Sequence, residues 1–98
     1  MMQSHTPITP GEILLTEFLE PLGISQYRLA QATGLSQTRI SEIVRGKRGI
    51  STETALRLSK ALGVDDRFWI NIQTDYDLEL ERDLHADDLS RVISLVAG

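Results

Sequence analysis

Gln37, Thr38 and Arg39 stand side by side at the start of a segment whose apolar residues, Ile40, Ile43 and Val44, return at helical spacing. A glutamine amide has the donor and acceptor needed to pair with adenine N6 and N7 together. A threonine meets a thymine methyl or accepts a hydrogen bond, and an arginine grips guanine or a phosphate. With Ser41 one turn further on, Gln37, Thr38, Arg39 and Ser41 are the candidate base-contacting residues. Glu42 shares their face, but it repels phosphate and could meet only a cytosine amino group, so base contact and a plain solvated role both stay open for it. Phosphate contact needs donors around such a reading face. Gln26 opens the preceding helical segment, where backbone N–H groups are free to meet an anion. Arg45 follows the helix, and Lys47 and Arg48 come next between Gly46 and Gly49, which lets a backbone approach closely.

These side chains need a scaffold, and residues 25–48, SQYRLAQATGLSQTRISEIVRGKR, supply it. Ser25 is an N-cap for a helix running to about Thr33, with Leu29 and Ala30 facing inward. Gly34 falls where the chain must turn through a left-handed conformation. Leu35 plugs the core, and Ser36 caps a second helix to about Val44. Two helices about a tight turn, the second apolar on one side and polar or basic on the other, suit a helix resting on a core while entering a major groove. A helical hairpin with no role at DNA uses the same apolar pattern, and the basic residues on the open face favour the DNA-binding alternative.

The flanks predict three further helices. Thr9, Pro10 and Glu12 form a capping-box pattern ahead of Leu14, Leu15, Phe18, Leu19 and Leu22, and Pro21 is expected to help end this helix at about Glu20. Ser51 or Thr52 caps a fourth helix with Ala55, Leu56, Leu58 and Leu62 as its apolar stripe, closed by Gly63. Asp65 or Asp66 caps a fifth, containing Phe68, Trp69, Ile72 and Tyr76, with Trp69 read as packing or a subunit contact. The acidic run DLELERDLHADD extends this helix or is mobile. In LSRVISLV both helical and strand spacings are present, so periodicity leaves its structure open. The expectation is one all-α domain of five helices, residues 9–78 with the helix-turn-helix at about 25–45. It is preceded by a loose arm at 1–8 and followed by an acidic C-terminal extension at 79–98 that serves as a dimer or partner contact.

The 98 residues carry a formal net charge of -4, which by itself argues against a nucleic-acid partner. The distribution reverses that argument. Residues 25–63 hold seven basic side chains against two acidic ones, whereas residues 64–98 hold three against nine. It is the local field that acts at a phosphate backbone. There are no cysteines, so neither a disulfide framework nor a thiolate metal site is expected. No apolar run approaches the ~20 residues that span a bilayer, and the N-terminus lacks the pattern of a secretory signal, so a cytoplasmic protein with no membrane partner is expected. His5 and His85 are isolated, no paired-carboxylate or nucleophile–base arrangement is visible, and no phosphate-cradling glycine loop is present. The chain is therefore not expected to be an enzyme or to need a metal or cofactor.

Residues 25–63 resemble the phage-repressor, XRE-type helix-turn-helix domain, which is lambda-repressor-like in fold. The segments Pro10-Gly11-Glu12-Ile13-Leu14, Glu17-Phe18-Leu19, Gly46-Lys47-Arg48-Gly49-Ile50-Ser51, Phe68-Trp69, Gln73 and Tyr76-Asp77-Leu78 together resemble the HigA (VapI-like) antitoxins over about residues 7–80. The resemblance implies an antitoxin of a type II toxin–antitoxin system. Such a protein neutralises a HigB-type toxin, a ribosome-dependent, mRNA-cleaving endoribonuclease of the RelE class. It also forms a homodimer that binds a palindromic operator in double-stranded DNA and represses its own operon. By position, the resemblance places Gln26, Gln37, Thr38, Arg39, Ser41 and Arg45 at DNA-facing sites. The toxin-contact surface does not carry over residue by residue. Two alternatives remain from the sequence: an XRE-family repressor with no cognate toxin, and a protein-interaction module whose acidic tail masks a basic toxin while its helix-turn-helix is vestigial.

Overall fold

The structure is a computed structural model and describes residues 7–96. The expected arm at residues 1–8 therefore lies largely outside the described residues, and so do the last two residues of the expected extension. Among the described residues there are six helices and no strand. Five make the packed unit and the sixth lies in the acidic extension, so the chain is all-α.

Helix α1 spans residues 10–22 without a break. Thr9 caps it, its Oγ1 accepting from the Glu12 N–H at 3.1 Å, and Pro10 occupies the first helical position, where no amide is needed. The helix is not uniform. An α turn at Pro10–Ile13 passes into a π-helical stretch at Leu14–Leu19, in which the Glu20 N–H reaches back five residues to the Leu15 carbonyl, and α geometry resumes at Glu20–Leu22. The sequence-based end at Glu20 is thus two residues short. A π-to-α junction leaves a carbonyl without an amide partner, so Pro21, which has no amide, sits there without sacrificing a bond. Gly23 ends the helix instead, in the left-handed region at φ 66°. Leu22, the last residue of the helix, is 59% exposed.

Helices α2 (Gln26–Thr33) and α3 (Gln37–Val44) form the central pair, each capped by the serine hydroxyl that precedes it. Helix α4 (Thr52–Leu62) is capped by Ser51, which resolves the choice between Ser51 and Thr52. Its buried face is Thr54, Ala55, Leu58 and Ser59, and Leu56 lies outside it, exposed. Of the expected stripe, Ala55 and Leu58 are buried and Leu62 packs against the core, so only Leu56 is misplaced; Thr54 and Ser59 complete the i, i+3, i+4 face.

Helix α5 (Phe68–Leu84) begins later than its expected aspartate cap. Asp65 Oδ1 accepts from the Arg67 N–H at 2.8 Å and its carbonyl accepts from the Phe68 N–H, so it organises the turn before the helix rather than the helix end itself. The acidic run continues the helix as far as Leu84, and a short α6 (Ala86–Ser90) follows. The segment after Ser90 forms neither helix nor strand as far as residue 96.

Leu14, Leu19, Leu29, Ala30, Ile40, Ile43, Ile50, Ala55, Leu58 and Trp69 make one buried core. Trp69 fastens α5 to α1: its ring lies 5.1 Å from those of Phe18 and Phe68, and the Phe68–Trp69 planes cross at 83°. Among the alternatives for Trp69, packing is the one observed, since no part of its surface is exposed. The tail differs: Leu84, Leu89, Val92, Ile93, Leu95 and Val96 are all at least half exposed.

Candidate nucleic-acid interface

The turn between α2 and α3 is fastened from several directions. Thr33 folds its hydroxyl back to the Leu29 carbonyl at 2.7 Å, and the same oxygen accepts from the Leu35 N–H. Gly34 adopts φ 77° and its N–H closes on the Ala30 carbonyl at 2.9 Å. A side chain that the sequence reading missed completes the lock. Arg57, from α4, donates from Nη1 to the Thr33 carbonyl at 2.7 Å and is itself held by Glu53 at 3.1 Å. It sits close under Gly34, where a Cβ would stand 3.0 Å from the guanidinium. Only the approach of α4 to the turn shows that it caps the last carbonyl of α2, that of Thr33.

Helix α3 is set by its buried residues. Ile40 and Ile43 are fully enclosed, and Ser36 Oγ accepts from the Arg39 N–H at 3.1 Å to start the helix. Gln37 and Thr38 are consequently exposed on the first turn, Arg39 and Ser41 are half-buried at its flanks, and Arg45 is exposed at the C-terminal end. Gln26 is half-buried at the first position of α2. Tyr27 and Gln31, joined by a 2.8 Å hydrogen bond, line a cleft with Gln37. Both are exposed polar groups beside the start of α3, and sequence spacing alone did not single them out.

The basic loop after α3 is tied down at both ends. Gly46 turns at φ 74°, its N–H bonding the Ile43 carbonyl, and the Lys47 N–H bonds the Glu42 carbonyl at 2.8 Å. Beyond the glycines, Gln73 of α5 accepts from the Ile50 N–H at 2.8 Å and donates to Asp77 at 2.9 Å. Gly49 passes so near Gln73 that a Cβ there would meet its amide nitrogen at 3.3 Å. Lys47 and Arg48 project from this loop, exposed. Arg48 Nε also reaches the Glu42 carboxylate at 2.8 Å. Glu42, left open by the sequence, is therefore an ion-pair partner that positions Arg48.

The start of α1 supports α3 by contact of backbone on backbone. Pro10 and Gly11 are buried, and a Cβ on Gly11 would stand 1.6 Å from the Ile43 carbonyl oxygen. Only hydrogen fits between the two helices at that point. Among the described residues no group of histidine, cysteine or carboxylate side chains could hold a metal ion, and no helix is long and apolar enough to cross a membrane.

A helix-turn-helix family model matches residues 15–69, more than half of the chain. Virulence-associated protein I of Dichelobacter nodosus is 52% identical over 73 residues, covering 74% of this chain and 68% of the relative. Antitoxin HigA-1 of Vibrio cholerae is 42% identical over 73 residues, with the same shares of 74% and 68%. Among solved structures, antitoxin GraA in complex with its operator superposes with a TM-score of 0.85 at 39% identity, covering 99% of each chain. The fold that carries the α2–turn–α3 unit is thus a shared one, and this chain is a member of the XRE-type helix-turn-helix family, of the HigA (VapI-like) antitoxin kind.

Proposed function

We propose that the chain is the antitoxin of a type II toxin–antitoxin pair, which neutralises a HigB/RelE-type mRNA-cleaving toxin and, as a homodimer, binds a palindromic operator to repress its own operon. The observation that carries the DNA half of this reading is the disposition of α3. Its two isoleucines are fixed in the core, its first turn offers Gln37 and Thr38 to solvent, and cations follow at its end. That arrangement matches a recognition helix whose N-terminal residues meet base edges. In this reading Gln37, Thr38, Arg39 and Ser41 contact bases. Gln26, Arg45, Lys47 and Arg48 contact phosphates, with Gln26 aided by the amides that open α2.

Homodimerisation fits the physics of operator recognition. One such domain covers few base pairs, so two copies about a two-fold axis read an inverted repeat. We assign residues 9–78 to the DNA-binding unit and 79–98 to a dimer or partner contact, supported by the exposed apolar side chains of the tail. The toxin half rests on kinship with proteins named antitoxins. Co-expression with the product of the adjoining open reading frame, followed by affinity purification and gel shift on the upstream DNA, tests both halves. A small basic protein that co-purifies and is inactive until released supports the antitoxin reading. DNA binding without any such partner reduces the chain to a repressor. Partner binding with no DNA retention at low salt leaves an interaction module whose helix-turn-helix is vestigial.

A further inference from the structure

Where α1 begins and α5 passes, Ile8, Ile13, Ile72 and Tyr76 line a groove of about 280 Å³, joined in its wall by Asp75 and Glu79. Ile8 is 60% exposed although it directly precedes the tightly packed Thr9–Pro10–Gly11 start of α1. Helix α5 carries five carboxylates and a single arginine over its length, and two of those carboxylates, Asp75 and Glu79, line the groove. The site thus combines an apolar floor with a negative wall. Tyr76 is shared with the neighbouring pocket of Lys47 and Arg48, so the acidic groove lies beside the basic loop and not upon it.

We infer that this groove is the docking site of the toxin, and that it receives an apolar side chain flanked by lysine or arginine. The inference rests on the antitoxin reading above and adds a surface to it. An enzyme that cleaves RNA must attract a polyanion and therefore carries a basic face. Such a face is complementary to the carboxylates of α5, while the apolar floor supplies the desolvated centre that a stable interface needs. A second copy of this chain suits the groove poorly, because a two-fold contact there would set Asp75 and Glu79 against their own equivalents.

The test uses full-length chain and the purified HigB-type toxin from the adjoining reading frame, titrated by calorimetry. Two variants are compared with wild type: the exposed-site change Asp75→Arg, and the pair Ile8→Ser with Asp75→Arg. Each is also assayed for operator affinity, melting temperature and mass by light scattering. The groove is supported if the single change weakens toxin binding several-fold and the pair weakens it at least tenfold (about 1.4 kcal/mol at 25 °C), with operator affinity not reduced and mass and melting temperature unchanged. Unchanged toxin affinity in the pair overturns it. A fall in mass with toxin affinity intact also overturns it, by assigning the groove to a contact between copies. Should the pair melt early, the single surface change decides, and no effect there counts against the groove. If the wild-type chain binds no toxin, the antitoxin reading itself has failed, an outcome visible before any variant is measured.

Discussion

Replacing Gly11 by alanine adds one methyl group at the point where α1 crosses α3, and the structure leaves it no room. The new Cβ would lie 1.6 Å from the Ile43 carbonyl oxygen, 2.6 Å from its carbon and 3.0 Å from the Val44 Cα. Ordinary contact requires about 3.5 Å, so the two backbones must part by about 2 Å. These are main-chain atoms of the first turn of α1 and the last turn of α3, and no rotamer change relieves them. Overpacking of a core costs about 1–3 kcal/mol, and a rigid backbone obstruction belongs at the upper end, near ~3 kcal/mol. For a domain of this size that corresponds to a melting temperature lower by roughly 12–24 °C. Urea unfolding followed by the fluorescence of Trp69, the single tryptophan and fully buried, measures it directly. Because Ile43 belongs to the helix that carries Gln37 and Thr38, operator affinity should fall further than stability alone accounts for at temperatures where the variant is folded. Gly23→Ala is the control. It has φ 66° but nothing within 4 Å of its new Cβ, so only the backbone penalty of about 1–2 kcal/mol applies, with operator affinity unchanged. If Gly11→Ala unfolds within ~0.5 kcal/mol of wild type, a size typical of harmless surface changes, the close approach of α1 to α3 is refuted.

Arg57→Met keeps the stem but removes the bond to the Thr33 carbonyl, and a loss of about 1.5 kcal/mol is expected in chemical denaturation, with little change if Glu53 is the only partner that matters. Glu42→Gln releases Arg48 from its 2.8 Å partner, so affinity for random DNA should rise several-fold while operator preference narrows; a competition gel shift showing no rise would remove the positioning role of Glu42. Gln37→Ala should lose discrimination at one base pair per half-site, at a cost of roughly 1–3 kcal/mol, and equal losses on operator and random DNA would sink base reading by that residue. Arg45→Ala should weaken every sequence alike and lower the salt slope by about 1 for each phosphate that the variant no longer neutralises, as read from binding at a series of salt concentrations.

Local signals were legible where the chain's own chemistry set them. Ser25, Ser36 and Ser51 each accept from the amide three residues on, and Thr9 does the same at the head of α1. Gly34 and Gly63 turn in the left-handed region as their positions after helices require. Misjudgements arose where apolar letters were counted without their neighbours. Leu22 and Leu56 satisfy a helical repeat on paper. The first is the exposed last residue of its helix, and the second is displaced by Thr54 and Ser59, polar residues small enough to be buried.

The candidate site divides in the same way. That Thr38 lies opposite Ile40 and Ile43 follows from a period of 3.6 residues, a property of neighbours along one helix, and so from sequence alone, whereas Gln37 stands beside that stripe and is exposed at the first position of the helix. The HigA-like segments Pro10-Gly11, Gly49-Ile50 and Gln73…Asp77 were visible as a resemblance, but their reasons were not. Tertiary structure decided that Gly11 lies against Ile43, that Gln73 holds Ile50 across 23 positions, and that Arg57 closes the turn at Thr33 across 24. It also decided that Glu42 serves Arg48 instead of standing alone on the reading face. Capping, helical phase and charge pattern depend on residues within one or two turns of each other, whereas these contacts depend on how far apart the helix axes settle. That distance is set by the packing of the whole core, and no single stretch of the chain contains it.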